Sequence, residues 1–267
     1  MLADIEGARL WYEERGEGPA VVLLHAGIAD ARMWDEQVDA LAEGHRVIRY
    51  DMRGYGHSPL PPGPFSHVRD LEALLAHLDC GHVSLVGLSH GGQVALDFAL
   101  TRPEPVKALV LVAPSLADHE WSPEARRVSD EEDACYEAGD LDGAVEVNLR
   151  AWVDGPLRAS DAVEPAVRER VRVMCRRSFE LYSEAMAQGE PGPSAPLDPP
   201  AGARLGEVRA PTLVLVGDAD MPDMLTISER LESGIAGARR VVLPGVAHMV
   251  NLERPERFTE LVLAFLP

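Results

Sequence analysis

Residues 83–92 read Val-Ser-Leu-Val-Gly-Leu-Ser-His-Gly-Gly. An apolar run enters Gly87, and from Gln93 to Leu100 the pattern turns helical, so Gly87-Leu88-Ser89-His90-Gly91 is a GxSxG pentapeptide at a strand-to-helix turn. A serine placed there sits on a tight, strained turn with its hydroxyl projecting above the sheet. Glycines two residues to either side let strand and helix approach closely, and the helix N-terminus that follows favours negative charge. The pentapeptide alone is a common turn sequence. Its flanks make Ser89 a candidate nucleophile.

On either side of this segment, near-continuous apolar runs recur at 20–25 (AVVLLH), 46–50 (RVIRY), 108–112 (ALVLV), 212–216 (TLVLV) and 240–243. Strands buried on both faces of a parallel sheet read this way. Helical segments lie between them. Val68, Leu71, Leu74, Leu75 and Leu78 form one face of a surface helix, with His67, Asp70, Glu72 and His77 on the other. Phe258, Leu261, Val262 and Phe265 repeat the pattern after Pro255, which suits a first helical turn. This alternation predicts an α/β fold with a doubly wound, mostly parallel sheet. It breaks at 115–205, where strand signals vanish. Ser129 and Glu132 have capping-box spacing, Leu141, Val145, Leu149 and Trp152 form one stripe, and Val167, Val171, Met174 and Phe179 begin another. A Gly/Pro-rich run at 189–202 leads back toward the sheet. The expected organisation is a core in two parts, 1–114 and 206–267, around a helical cap insertion at 115–205.

A chain of 267 residues, 46% hydrophobic and 26% charged, is an ordinary globular composition. Its formal charge of −19 opposes binding to nucleic acid or anionic lipid, and a neutral or cationic small molecule suits it better. Lys107 is the only lysine, which points to coding bias. Cys80, Cys135 and Cys175 show no paired spacing, so neither a disulfide framework nor a metal site is expected. The acidic first residues lack the pattern of a signal peptide, and no apolar run approaches the ~20 residues that span a bilayer. A cytoplasmic protein is expected, its partner a small-molecule substrate; a homodimer is compatible with the sequence.

A serine nucleophile needs a base that a third group holds in the right tautomer. His248 is the best candidate, on the loop between the last strand and the last helix. His45, His67, His77 and His82 sit on or beside surface elements and read as solvated imidazoles, while His119 lies in the insertion. For the acid, the strand at 212–216 runs into Gly217-Asp218-Ala219-Asp220, at a strand end where such sheets build their sites. Asp218 and Asp220 are both suitable, and Asp223 is more distant.

In context Ser89, Asp220 and His248 resemble the catalytic triad of the α/β-hydrolases, and the similarity covers the whole chain outside the insertion. The resemblance implies the α/β-hydrolase fold, with the helical cap inserted after the sixth strand. Family members place the acid three residues after the strand-end glycine, which selects Asp220. His25-Ala26-Gly27-Ile28 resembles the turn that supplies one oxyanion-hole amide, so the implied donors are the backbone N–H groups of Gly27 and His90. Ala26 departs from the usual glycine, and the turn must accept its Cβ. Asp51-Met52-Arg53-Gly54-Tyr55-Gly56-His57-Ser58 is similar to a family loop that scaffolds the site, so His57 is expected to be structural and Trp34 to be packing. For His90 only the backbone amide is required; a side chain bordering the acyl pocket is the alternative.

Serine at 89 argues against haloalkane dehalogenases and epoxide hydrolases, which need an aspartate there. The stretch from His248 to Glu256 is similar to that of enol-lactonase-like and non-haem haloperoxidase-like esterases. The expected reaction is hydrolysis of a carboxylic ester or lactone through an acyl-enzyme, with no cofactor. Carbon–carbon bond hydrolysis by the same triad, and a ligand-binding protein on a hydrolase scaffold, are the alternatives. Trp121, Trp152, Phe179, Tyr182 and Met186 are the residues expected to line the pocket under the cap.

Overall fold

The computed structural model describes residues 1–5, 7–189 and 191–267. In chain order the strands are β1 (Leu2–Ile5), β2 (Ala8–Arg15), β3 (Ala20–Leu24), β4 (Arg46–Tyr50), β5 (Gly63–Phe65), β6 (Val83–Leu88), β7 (Val106–Val112), β8 (Pro191–Ser194), β9 (Thr212–Gly217) and β10 (Arg239–Leu243). The α-helices are α1 (Asp35–Ala42), α2 (His67–His77), α3 (His90–Thr101), α4 (Pro123–Glu137), α5 (Leu141–Asn148), α6 (Pro165–Gln188), α7 (Pro222–Gly234), α8 (Val250–Glu253) and α9 (Pro255–Leu263).

Eight strands form one sheet in the order β1-β2-β4-β3-β6-β7-β9-β10. All its pairings are parallel except β1 with β2 and β2 with β4. The apolar runs predict the six parallel strands for a physical reason: all but the edge strand β10 feed two cores. Val22 and Leu24 of β3 face one side of the sheet, with Val214 and Val216 of β9 and residues of α2, α3 and α7. Val21 and Leu23 face the other, with Leu213 and Leu215, α1, α9 and residues of the helical insertion. A strand buried on both faces needs apolar residues at every position. β2 is less legible, because only Leu10 and Tyr12 of its eight residues are buried.

The insertion follows β7, the sixth strand of the main sheet in chain order, and comprises α4, α5, a π-helical turn at Leu149–Asp154 and α6. Its start corrects one sequence expectation. Ser129 lies inside α4, whose cap is Ser122: the Ser122 side chain accepts from Ala125 N–H, and Pro123 occupies the first turn. A serine followed by proline starts a helix better than an interior Ser/Glu spacing, since proline at that position loses no hydrogen bond. The Gly/Pro-rich return contains β8, which pairs in parallel with β5 in a two-stranded sheet. No described helix is long and apolar enough to cross a membrane.

Candidate active site

Ser89 occupies φ 55°, ψ −117°, between β6 and the first residue of α3. Holding a residue with a Cβ there costs on the order of 1–3 kcal/mol. The surroundings enforce it: Ser89 N–H donates to Val112 O (2.9 Å), and Ser89 O accepts from Gln93 N–H (3.0 Å) and Ser115 N–H (3.2 Å). The flanking glycines are steric requirements. A Cβ on Gly87 would lie 2.3 Å from Gly91 O, and one on Gly91 would lie 2.3 Å from Leu24 O. The hydroxyl makes no hydrogen bond among the described residues, and catalytic contacts commonly tighten only with substrate bound.

His248 and Asp220 are both buried, and His248 Nδ1 lies 2.8 Å from Asp220 Oδ2. The other carboxylate oxygen of Asp220 accepts from Met221 N–H at 2.7 Å. Asp218 points elsewhere, accepting from Gly245 N–H at 2.6 Å and so pinning the turn that carries the histidine. Backbone bonds from Asp218 to Leu243 O (3.1 Å) and from Ala219 to Val246 O (2.9 Å) join the two loops. Gly217 permits this approach, since a Cβ there would fall 2.0 Å from Val246 O. Asp223, the distant third choice, instead holds His119 Nε2 (3.0 Å) and Ser122 N–H (2.7 Å).

Gly27 stands beside the elbow: a Cβ on it would lie 3.5 Å from the Cβ of His90. Neither the Gly27 nor the His90 backbone N–H has a partner among the described residues. His25 braces this turn. Its Nε2 accepts from Met52 N–H (2.9 Å), leaving Nδ1–H to donate to Ala26 O (2.8 Å), and burial holds its pKa below the ordinary value. Ala26 is buried and outside the left-handed region, and its N–H reaches Met33 Sδ at 3.3 Å, so the Cβ is accommodated.

Behind Gly27, Asp51 fastens the 51–58 loop by accepting from Ala31 and His57 N–H, each at 2.8 Å. Gly56 must lack a side chain, since a Cβ would lie 2.2 Å from that carboxylate. His57 is 62% exposed and lies against Asp51. Trp34 is fully buried and packs on Phe258.

A cavity of about 840 Å³ runs from Gly27 and Ile28 to the insertion. Phe179, Tyr182 and Met186 line it; Trp121 and Trp152 do not. Trp121 packs on His119, and Trp152 lies 4.9 Å from the His248 ring. Two polar residues of α2 contradict the sequence reading. His67 and Asp70 are buried, not solvated, because Arg53, Phe65 and His90 cover the first turn of α2, while Arg69, Ala76 and His77 stay exposed. Asp70 takes a bidentate bond from Arg53 (2.6 and 2.9 Å), and the His67 ring is wedged between Phe65 and His90 at 5.0 Å from each. Burial, with smaller contributions from His90, His25 and Arg53, pushes His67 down to about 2, and burial with His25 brings His90 to about 4. Both imidazoles are therefore neutral at neutral pH. Also missed were Arg158 and Glu253: Glu253 accepts from Ala247 N–H (2.8 Å), next to His248, and from Arg158 of the insertion (2.7 and 3.1 Å).

The comparisons agree with this architecture. An enol-lactonase from Burkholderia xenovorans superimposes with a TM-score of 0.79 at 26% identity, over 99% of each chain. A hydrolase from Pseudomonas aeruginosa gives 0.79 at 31% identity, over 99% of this chain and 97% of the other. A 2-hydroxy-6-oxononadienedioate/2-hydroxy-6-oxononatrienedioate hydrolase of Escherichia coli is 29% identical over 97% of this chain and 91% of its own. The alpha/beta hydrolase fold family matches residues 19–255, and the chain belongs to that family of enzymes.

Proposed function

We propose that the protein hydrolyses a carboxylic ester or lactone of a small organic molecule through an acyl-enzyme on Ser89. The observation that carries this reading is one sheet edge bearing three parts of the chemistry: a serine held at φ 55°, two unpartnered amides beside it at Gly27 and His90, and a buried Asp220–His248 pair. Asp220 holds Nδ1–H, which presents Nε2 of His248 as the base. Ser89 Oγ attacks the carbonyl carbon while His248 takes its proton, and the Gly27 and His90 N–H groups stabilise the oxyanion. The imidazolium returns the proton to the departing alkoxide, and water then repeats the sequence to release the acid. The helical insertion acts as a cap that bounds the substrate cavity.

Carbon–carbon cleavage uses the same residues. Against a substrate with several carboxylates stands the cavity itself, where Arg53 is the one lining cation among the described residues and is already bound to Asp70. The test is turnover of short and long p-nitrophenyl esters, small lactones and a vinylogous diketone by the wild type and Ser89→Ala. The reading predicts ester or lactone turnover that Ser89→Ala abolishes. Turnover of the diketone alone would contradict it.

A further inference from the structure

The charges around the cavity are out of balance. All the polar contacts of Arg53 are satisfied internally, by Asp70 through Nε and Nη2 and by Gly7 O through Nη1 (2.8 Å). Three carboxylates line the cavity, Glu132, Asp133 and Glu137, and among the described residues none forms a salt bridge. Elsewhere in the insertion Glu131 pairs with Arg150, Glu146 with Arg168 and Arg172, and Glu180 with Arg176, so arginine partners are at hand on these helices but none turns to the cavity carboxylates.

Glu132 is the most enclosed of the three. Asn148 Nδ2 donates to its Oε2 at 2.7 Å and is itself fixed by Ala144 O (3.0 Å), while Oε1 has no partner among the described residues. Burial raises its pKa, and the charge of Asp133 adds to the rise. Burial, with the charge of Glu132 adding to it, pushes Tyr55 up to about 12. Tyr55 and Glu132 line the same cavity, and the Tyr55 hydroxyl would lie 3.7 Å from a Cβ on Gly27. Aromatic rings line the same cavity: Tyr136 stacks on Phe179 at 5.9 Å, and Tyr182 meets Tyr136 at 5.5 Å. His67 is a second polar group of the lining left without a partner. It lines the cavity, is 7% exposed, and its Nδ1 is buried without a partner.

We propose that this cavity receives an ammonium group of the substrate, bound by Glu132 with Asp133 and Glu137 at its rim and flanked by the Tyr136 and Phe179 rings. A desolvated ammonium gains both a carboxylate partner and attraction to the ring faces, while an isosteric alkyl group leaves Glu132 unpaired. The preferred esters therefore carry a primary or secondary amine on the arm that enters the cavity; this rests on the ester-hydrolase reading above.

The experiment compares kcat/KM for p-nitrophenyl 6-aminohexanoate with its isostere p-nitrophenyl heptanoate, and for 6-aminohexyl acetate with heptyl acetate, so that each arm is tested. Wild type should prefer the amine in one pair by about tenfold or more, and Glu132→Gln should bring that ratio to about one. Hexylammonium should likewise inhibit wild type about tenfold more strongly than hexanol, a reading that needs no variant. A wild-type ratio at or below one in both pairs, or a ratio unchanged in Glu132→Gln, overturns the ammonium site. Failure to turn over any of the four esters overturns the hydrolase reading instead.

Discussion

Which of two aspartates two residues apart reaches His248 follows from one missing Cβ. Gly217 lets the carbonyls of Val246 and Ala247 come close enough for the histidine loop to lie on the end of β9, and the chain then needs three residues to bring a carboxylate under His248. Asp218 meets Gly245 N–H on the way. Asp220→Asn should therefore lower kcat by roughly 10³–10⁴-fold, because the amide favours the wrong imidazole tautomer. Asp218→Asn should lower it by less than about tenfold, since an amide oxygen still accepts from Gly245. Steady-state kinetics on an activated ester rank the two, and the opposite order would show that the acid is misassigned. At this scale the sequence was readable because the glycines at 87, 91 and 217 are each required by a backbone contact. His67 was not readable, because its burial depends on Phe65 and His90 arriving from other elements.

The helical insertion is tied to the histidine loop by a largely enclosed ion pair. Arg158 donates to Glu253 and to the carbonyls of Val153, Asp154 and Gly245, while Glu253 also takes Ala247 N–H. Arg158→Met strands a carboxylate whose side chain is only 4% exposed, and should cost about 3 kcal/mol in urea unfolding. Adding Glu253→Gln, which keeps an acceptor for Ala247, should recover part of that loss. Additive losses in the double variant would show that the two side chains do not act as a pair. The insertion was the least legible part of the chain. Its apolar stripes gave the existence of helices, and Val145, Val171 and Met174 are indeed buried. The spacing of Glu132 suggested a cap, but its place at the cavity depends on how α4 packs against α5, which no local pattern encodes.

Across the whole molecule the doubly wound sheet was legible in its six parallel strands and illegible at β1 and β2, the antiparallel strands with few buried residues, and at β5 and β8, short strands that contain proline. The tight packing has an electrostatic cost at Asp97 of α3, 8% exposed, where burial raises the carboxyl to about 6. An unfolded aspartate releases its proton near 4, so between about pH 4 and 6 the folded form holds more protons. This site thus gains stability as pH falls through that window, and its penalty is fully present above pH 6. Asp97→Asn should raise stability at pH 7.5 by about 1–3 kcal/mol, with the advantage vanishing toward pH 4. A difference between the two proteins that does not change with pH would refute this. The proposed chemistry needs Ser89, alone among the serines of these elements, as nucleophile. Mass spectrometry of the protein after reaction with a fluorophosphonate should find a stoichiometric adduct on the peptide bearing Ser89 and none in Ser89→Ala; an unlabelled Ser89, or ester turnover that survives Ser89→Ala, would rule the serine out.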